Sequence, residues 1–401
     1  MSDTTAAPIP AHVKQEQVFD FDIFFDPRLR ENAHAGYESL HRDAPDVFYT
    51  PRNGGHWVVT RQADVRAVMQ ASDIFSSAIA TVPVPPPEMR LPLPPQDMDG
   101  DEHRRHRGVL VPVFSRDSVM RLEASARELA VDLISTLQPQ RGCDFIGGFA
   151  VPMPVKLFMG MMGMELERYK EFVGWVHSIL SPTDRDLRMQ AFMSLSQYLV
   201  GLIKERLAAP GDDVISRLVK SEIDGKPLAF ERVLAMCNLL FLAGLDTVTN
   251  AMGFICRHLA ENPDVQDELR RNPAKIPEAI EEFMRRYTFV STGRVVTRDT
   301  EFAGMQMRAG DMVMSSLTAA SLDDRVTPDP LTVDIGRPRP QHLGFNTGPH
   351  NCAGAPLARM EMRVFLEEWL ARVPPFRLQD GVTPRYRLGV VFGLESLHLA
   401  W

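Results

Sequence analysis

Apolar and polar residues alternate with a helical period along most of this chain. Residues 63–70, 118–137, 185–207, 230–261, 276–287 and 356–373 place apolar side chains three and four positions apart, which predicts helices. In the last run Met362, Phe365, Leu366, Trp369, Leu370 and Val373 share one face. Strand signals are short. The runs 47–50 and 56–60 flank Pro51-Arg52-Asn53-Gly54-Gly55 and read as a hairpin. Residues 293–296, 301–302 and 312–314 form a second β-like region, and the last twenty residues alternate enough for another hairpin. The expected class is mainly α with small β-sheets. Residues 1–20 read as a flexible arm. Residues 21–401 contain no Gly/Ser linker, charge block or repeat and read as one domain.

The 401 residues are 44% hydrophobic, enough for a large core, and carry a net charge of −8. That balance argues against nucleic acid, whose phosphates require a concentrated basic patch. The N-terminus, MSDTTAAPIPAHVKQEQ, lacks the basic start and apolar stretch of a secretory signal. The longest apolar stretch, 233–248, is broken by Asn238 and Asp246 and is too short to span a bilayer. A cytoplasmic protein without membrane attachment is expected. Cys143, Cys237, Cys256 and Cys352 show neither zinc spacing nor a disulfide framework, and the first three read as small packing residues. The proline-rich stretch 82–95 excludes helix. It reads either as a ligand for a partner's aromatic groove or as an ordered wall over a site. Val82, Val84, Met89, Leu91 and Leu93 favour the wall.

The most specific pattern is Phe345-Asn346-Thr347-Gly348-Pro349-His350-Asn351-Cys352-Ala353-Gly354. A lone cysteine is usually a buried small residue. Here the neighbours meet the needs of a thiolate ligand to a metal in a flat macrocycle. Gly348 and Gly354 allow close backbone approach. Phe345 can shield the sulfur from water. A helix begins just after Cys352, and its unpaired N–H groups favour a thiolate. A second pattern, Phe241-Leu242-Ala243-Gly244-Leu245-Asp246-Thr247-Val248-Thr249, lies inside an apolar helix. Gly244 weakens that helix and a Thr hydroxyl can divert a backbone carbonyl, so a local opening is expected. Asp246 can bring protons from outside and the Thr247 hydroxyl can place them.

The cysteine loop resembles the haem-binding loop of the cytochrome P450 family. That resemblance implies a triangular, helix-rich single domain around a buried haem b (iron protoporphyrin IX), with Cys352 as the axial ligand of the iron. The thiolate then promotes cleavage of the O–O bond. The family places Gly244, Asp246 and Thr247 over the opposite haem face. Glu282 and Arg285 match the family's Glu-x-x-Arg pair, with Arg337 as a third member supporting the loop. His103, Arg107, Arg294 and His350 match positions that hold the haem propionates. Phe345 and Gly354 complete the cofactor set. Arg104, Arg105 and Arg359 are candidates for an acidic electron-transfer partner.

Several stretches resemble the soluble bacterial camphor hydroxylase group, and the resemblance runs from about residue 20 to Trp401. It implies a monomer that hydroxylates a small apolar molecule with O2. Electrons come from a separate [2Fe–2S] ferredoxin and its NAD(P)H-dependent reductase. Pocket positions are Leu91, Leu93, Leu239, Leu242, Ala243, Val290, Val390 and Val391. The chain departs from that group in having no Tyr near Arg90–Leu93, Thr292 in place of an Asp, and Ala353 and Ala355 beside the cysteine. The missing Tyr argues against camphor, and the apolar wall points to a terpenoid or norisoprenoid such as an ionone. Two other readings stand beside this one: a peroxide-driven haem-thiolate peroxygenase and a haem-binding sensor without turnover.

Overall fold

Each predicted helical run is helical in the computed structural model of the chain, which describes residues 6–87, 90–180 and 185–401. The helices that matter for the site are α1 (Gly100–Leu110), α2 (Arg116–Leu137), α3 (Tyr169–Leu180), α4 (Arg185–Ala208), α5 (Phe230–Gly244), α6 (Thr247–Glu261), α7 (Ile276–Arg286) and α8 (Ala355–Arg372). The apolar stripe of α8 meets α2, α6 and α7, with Phe365 and Trp369 fully buried. Their rings pack beside Phe145 and Phe149, at centroid separations of 4.9–5.6 Å. α3 and α4 pack together above α5.

The long run 230–261 is divided: α5 ends at Gly244 and α6 starts at Thr247. Among the described residues this is the one stretch long and apolar enough to cross a membrane, and most of it is buried in protein. It is a core element here.

Five short strands form one sheet: β1 (Val47–Thr50), β2 (His56–Val59), β3 (Phe75–Ser76), β4 (Ser291–Val296) and β5 (Met312–Ser316). Their order is β1-β2-β5-β4-β3, with β2 and β5 parallel and the other pairs antiparallel. The C-terminal hairpin is present as β6 (Tyr386–Arg387) and β7 (Gly393–Leu394).

The expected flexible arm is corrected from Ala6 onward. Ala7 N donates to Pro51 O at 2.8 Å, His12 Nε2 lies 2.8 Å from Asp311 Oδ2, and Val13 is buried. Val18 bridges Tyr49 in the sheet. A polar, proline-bearing sequence reads as mobile, yet these contacts bind it to the sheet edge. In the proline-rich stretch Val82, Pro94 and Pro95 are buried, Leu91 and Leu93 are half-buried, and Val84 is exposed. Met89, expected in that wall, lies outside the described residues.

His56 lies in β2 with both ring nitrogens buried and unpartnered, and burial pushes its pKa down from 6.5 to about 4. Between those values the unfolded chain binds a proton that the folded chain excludes. Stability therefore rises with pH across the window and is lost as pH falls through it. His56→Phe is expected to abolish about 2 kcal/mol of the stability lost between about pH 7 and pH 5. Urea unfolding at the two pH values checks this, and equal losses in both proteins contradict it.

Candidate functional site

The cysteine loop is built by backbone bonds that precede α8. Cys352 N donates to Phe345 O at 2.8 Å and closes the loop. Gly348 has φ +71, and a Cβ there would lie 2.7 Å from Met69 O, so only glycine fits. Gly354 takes the cap position of α8, and a Cβ on it would stand 3.9 Å from Cys352 Sγ. The protein around the Cys352 thiol desolvates it. Burial pushes its pKa up, and the Gly354 and Ala355 N–H groups and the Arg107 and Arg359 charges pull it down by less. The helix terminus therefore helps the thiolate as expected but does not by itself outweigh desolvation. Cys237 and Cys256 are buried, and burial holds both thiols protonated.

Phe345 lies under Arg359, whose guanidinium carbon is 4.4 Å from the ring centre. Arg359 also donates to both oxygens of Glu281, at 2.6 and 2.8 Å. That pair links α7 to α8, a bracing role the sequence reading did not assign to Arg359. Arg104 pairs with Asp101 and Arg105 with Asp224, all exposed.

Below the loop, Glu282 and Arg285 are completely buried and paired through two bonds of 2.8 and 2.9 Å. Arg285 also donates to Pro330 O and Thr332 O, and Arg337 Nε lies 3.3 Å from Glu282. Each guanidinium nitrogen of Arg285 and each carboxylate oxygen of Glu282 has a partner, which is the condition for a buried ion pair to be tolerated.

On the other side of the cysteine, four basic residues converge. Arg107 donates to Asn351 O and Oδ1, and the Cys352 charge acts on it. His103 is buried with Nε2 unpartnered, and its ring centre lies 4.2 Å from that of His350. His350 Nε2 lies 3.0 Å from Ser77 Oγ and 3.7 Å from Asp99 Oδ1. Arg294 is 3% exposed, and its guanidinium donates only to Thr292 Oγ1 and Gly293 O in its own strand. Among the described residues no carboxylate forms an ion pair with it. Burial pushes its pKa down to about 10. A buried guanidinium without a counter-charge is costly, so this cluster is built to receive an anionic group.

Across from the loop, the break between α5 and α6 exposes Ala243 and half-exposes Leu242 and Thr247. The Thr247 hydroxyl donates to Ala243 O at 3.1 Å, diverting that carbonyl as expected. The helix is interrupted at Gly244 as expected, and the glycine also serves packing: a Cβ there would lie 2.7 Å from the Phe158 ring. Asp246 is buried and held from three sides. Arg387 Nη2 donates to Oδ2 at 2.5 Å, Asn250 Nδ2 donates to Oδ2 at 3.0 Å, and His177 Nε2 lies 3.5 Å from Oδ1. Burial opposes ionisation, but the His177 contact and the Arg387 charge and hydrogen bond outweigh it. Asp246 is therefore held well below the carboxylate range. Neither Arg387 nor His177 carried a sequence signal.

The cytochrome P450 family profile matches residues 28–385. The chain belongs to the cytochrome P450 family. It is 35% identical to "Probable cytochrome P450 127A1" of Sinorhizobium fredii, across 98% of this chain and 97% of that one. It is 32% identical to a steroid C26-monooxygenase of Mycobacterium tuberculosis, across 91% and 92%. The crystal structure of CYP101J2 superposes with a TM-score of 0.91 at 35% identity, covering 98% of this chain and 99% of that one. CYP101C1 superposes at 0.90 with 32% identity, covering 98% and 100%. The P450 fold and the likeness to the camphor hydroxylase group stand as expected.

P450 monooxygenases bind haem b through a cysteine thiolate, and the residues present fit that group. Among the described residues no cluster of three or more His, Cys, Asp and Glu could chelate an ion. A single thiol then suits a metal already held by a macrocycle. Two propionates suit the guanidinium groups of Arg294 and Arg107, which form no ion pair with a carboxylate among the described residues, and the ring N–H groups of His103 and His350. Arg294→Gln is expected to speed haem transfer to an apoglobin acceptor by about tenfold or more, from loss of one charged hydrogen bond. An unchanged transfer rate removes Arg294 from the set.

Proposed function

We propose that this P450 monooxygenase hydroxylates a small apolar molecule of the terpenoid or norisoprenoid class. Its working unit is one domain that includes the residues from Ala6 onward, active as a cytoplasmic monomer. Cys352 would ligate the haem iron, Arg294, Arg107, His103 and His350 would hold the propionates, and Phe345 and Gly354 would pack around the cysteine. Bound there, haem supplies the iron centre at which dioxygen is activated. The observation that carries this reading is Arg294, buried with hydrogen bonds only inside its own strand and acting on His103 together with His350 and with Arg107, which bonds Asn351 beside Cys352.

The chain's own residues manage the protons and the substrate. Asp246, ionised and in contact with half-exposed His177, can accept a proton relayed from solvent and pass it toward Thr247. The Thr247 hydroxyl is already oriented by Ala243 O at the helix opening. Leu239, Leu242 and Ala243 line that side, with Leu91 and Leu93 from the proline-rich loop. Val290 and Val391 form a β-bridge, and Val390 O accepts from Ser291 N at 2.7 Å, so the far wall is braced. Such a lining holds a ligand by apolar burial. The steroid named for the mycobacterial relative is also largely hydrocarbon, which supports an apolar class. Electrons come from a [2Fe–2S] ferredoxin and an NAD(P)H-dependent reductase, met at the face bearing Arg104 and Arg105.

Thr247→Ala is expected to raise the peroxide released per NADH several-fold while the haem spectrum is kept. Unchanged coupling contradicts the role of Thr247. Ionones and monoterpenoids are expected to shift the haem from low to high spin, and a panel producing no shift contradicts the substrate class.

A further inference from the structure

Asp246 makes no side-chain cap bond to the helix it precedes. The one bond it receives from its own helix is from Asn250, so the rest of what holds its carboxylate must come from elsewhere in the fold. The source is one rung of the C-terminal hairpin, in which Arg387 of β6 stands opposite Gly393 of β7. Arg387 donates directly to Asp246 Oδ2 at 2.5 Å. On the other strand, a Cβ at Gly393 would fall 1.9 Å from Asn250 Oδ1. The hairpin backbone therefore lies against the Asn250 amide, and Asn250 donates to the same Asp246 oxygen at 3.0 Å. One rung thus closes on one oxygen twice, by charge from β6 and by contact through Asn250 from β7.

A two-stranded hairpin is marginal alone and needs support to hold anything in place. This one has it. The segment between its strands bonds to the start of β4: Ser291 N donates to Val390 O at 2.7 Å, Phe392 N donates to Phe289 O at 3.1 Å, and Val391 bridges Val290. The strand that carries Arg294 therefore also braces the hairpin that reaches Asp246.

We infer that the Arg387–Gly393 rung positions the Asp246 carboxylate for proton transfer, with Arg387 and Gly393 as positioning residues. The inference rests on the reading of Asp246 as the proton-carrying group. The charged and titratable groups that face Asp246 are Arg387 from the hairpin and His177 from α3; Asn250, on its own helix, is neutral. Without Arg387 the carboxylate loses a stabilising cation, so its protonation moves to higher pH. The pH dependence of coupling moves upward with it.

The test compares the haem-loaded protein with Arg387→Gln, Arg387→Lys and Gly393→Ala, each accepted only if the reduced carbon monoxide spectrum is that of the parent. Amide hydrogen exchange across residues 244–250 is expected to quicken about tenfold in Arg387→Gln and Gly393→Ala, because a brace on the helix break is lost. Arg387→Lys keeps the charge and restores slow exchange. Driven by a surrogate [2Fe–2S] ferredoxin and its reductase, the peroxide released per oxygen consumed rises in the first two variants. In Arg387→Gln its pH profile also moves upward. Parent-like exchange and peroxide ratio in both variants overturn the inference. Asp246→Asn serves as the separate control. If its peroxide ratio equals the parent's, the proton reading of Asp246 fails, and with it any positioning for proton transfer. If only Asp246→Asn alters the ratio, that reading survives and the hairpin's role is rejected.

Discussion

A sulfur atom that must bind a metal without being oxidised has to be fixed, shielded and given positive surroundings at once. The bond from Cys352 N to Phe345 O does the fixing, because it closes a loop whose tightest point tolerates only Gly348. Everything near it serves that loop. α8 leaves directly from it, Arg359 covers Phe345 and ties α8 to Glu281, and the buried Glu282–Arg285 pair secures the segment at Pro330 and Thr332. A buried ion pair contributes little net stability, but it is strongly destabilising to break from one side. Its value here is a single geometry beneath the cysteine.

The electrostatics of the two faces differ in kind. On the cysteine side the two guanidinium groups of Arg107 and Arg294 stand beside His350, which faces Asp99, and beside His103, whose pKa burial pushes down to about 4. Those two guanidinium charges are balanced when a dianionic cofactor is bound. On the opposite side a single carboxylate, Asp246, is matched by Arg387 and His177 and remains ionised. These two environments support the proposed division of labour, a charged cofactor held on one side and proton handling on the other.

Much of this was legible in the sequence, for definable reasons. Helical periodicity located the α8 stripe, because its buried side is continuous. The cysteine loop and the Asp-Thr pair are local motifs, so residues close in sequence were also close in space. The Thr247 hydroxyl bond to Ala243 followed from i and i−4 geometry. What escaped depends on contacts between distant segments. Arg387 reaches Asp246 across 141 residues, and Gly393 meets Asn250 through a close approach that leaves no pattern. The helix break at Gly244 was legible because glycine weakens helices, but the packing of Phe158 against it was not, since Phe158 lies far off in the chain. The N-terminal residues looked mobile by composition, but Val13 and His12 find partners on a sheet assembled from later strands.

The most direct test of the central claim is the reduced carbon monoxide spectrum of Cys352→Ser beside the parent. The parent is expected to show the red-shifted Soret band of a thiolate-ligated haem, and the variant to lose it. The same red-shifted band in both proteins would contradict the assignment of Cys352, because another group would then be holding the iron.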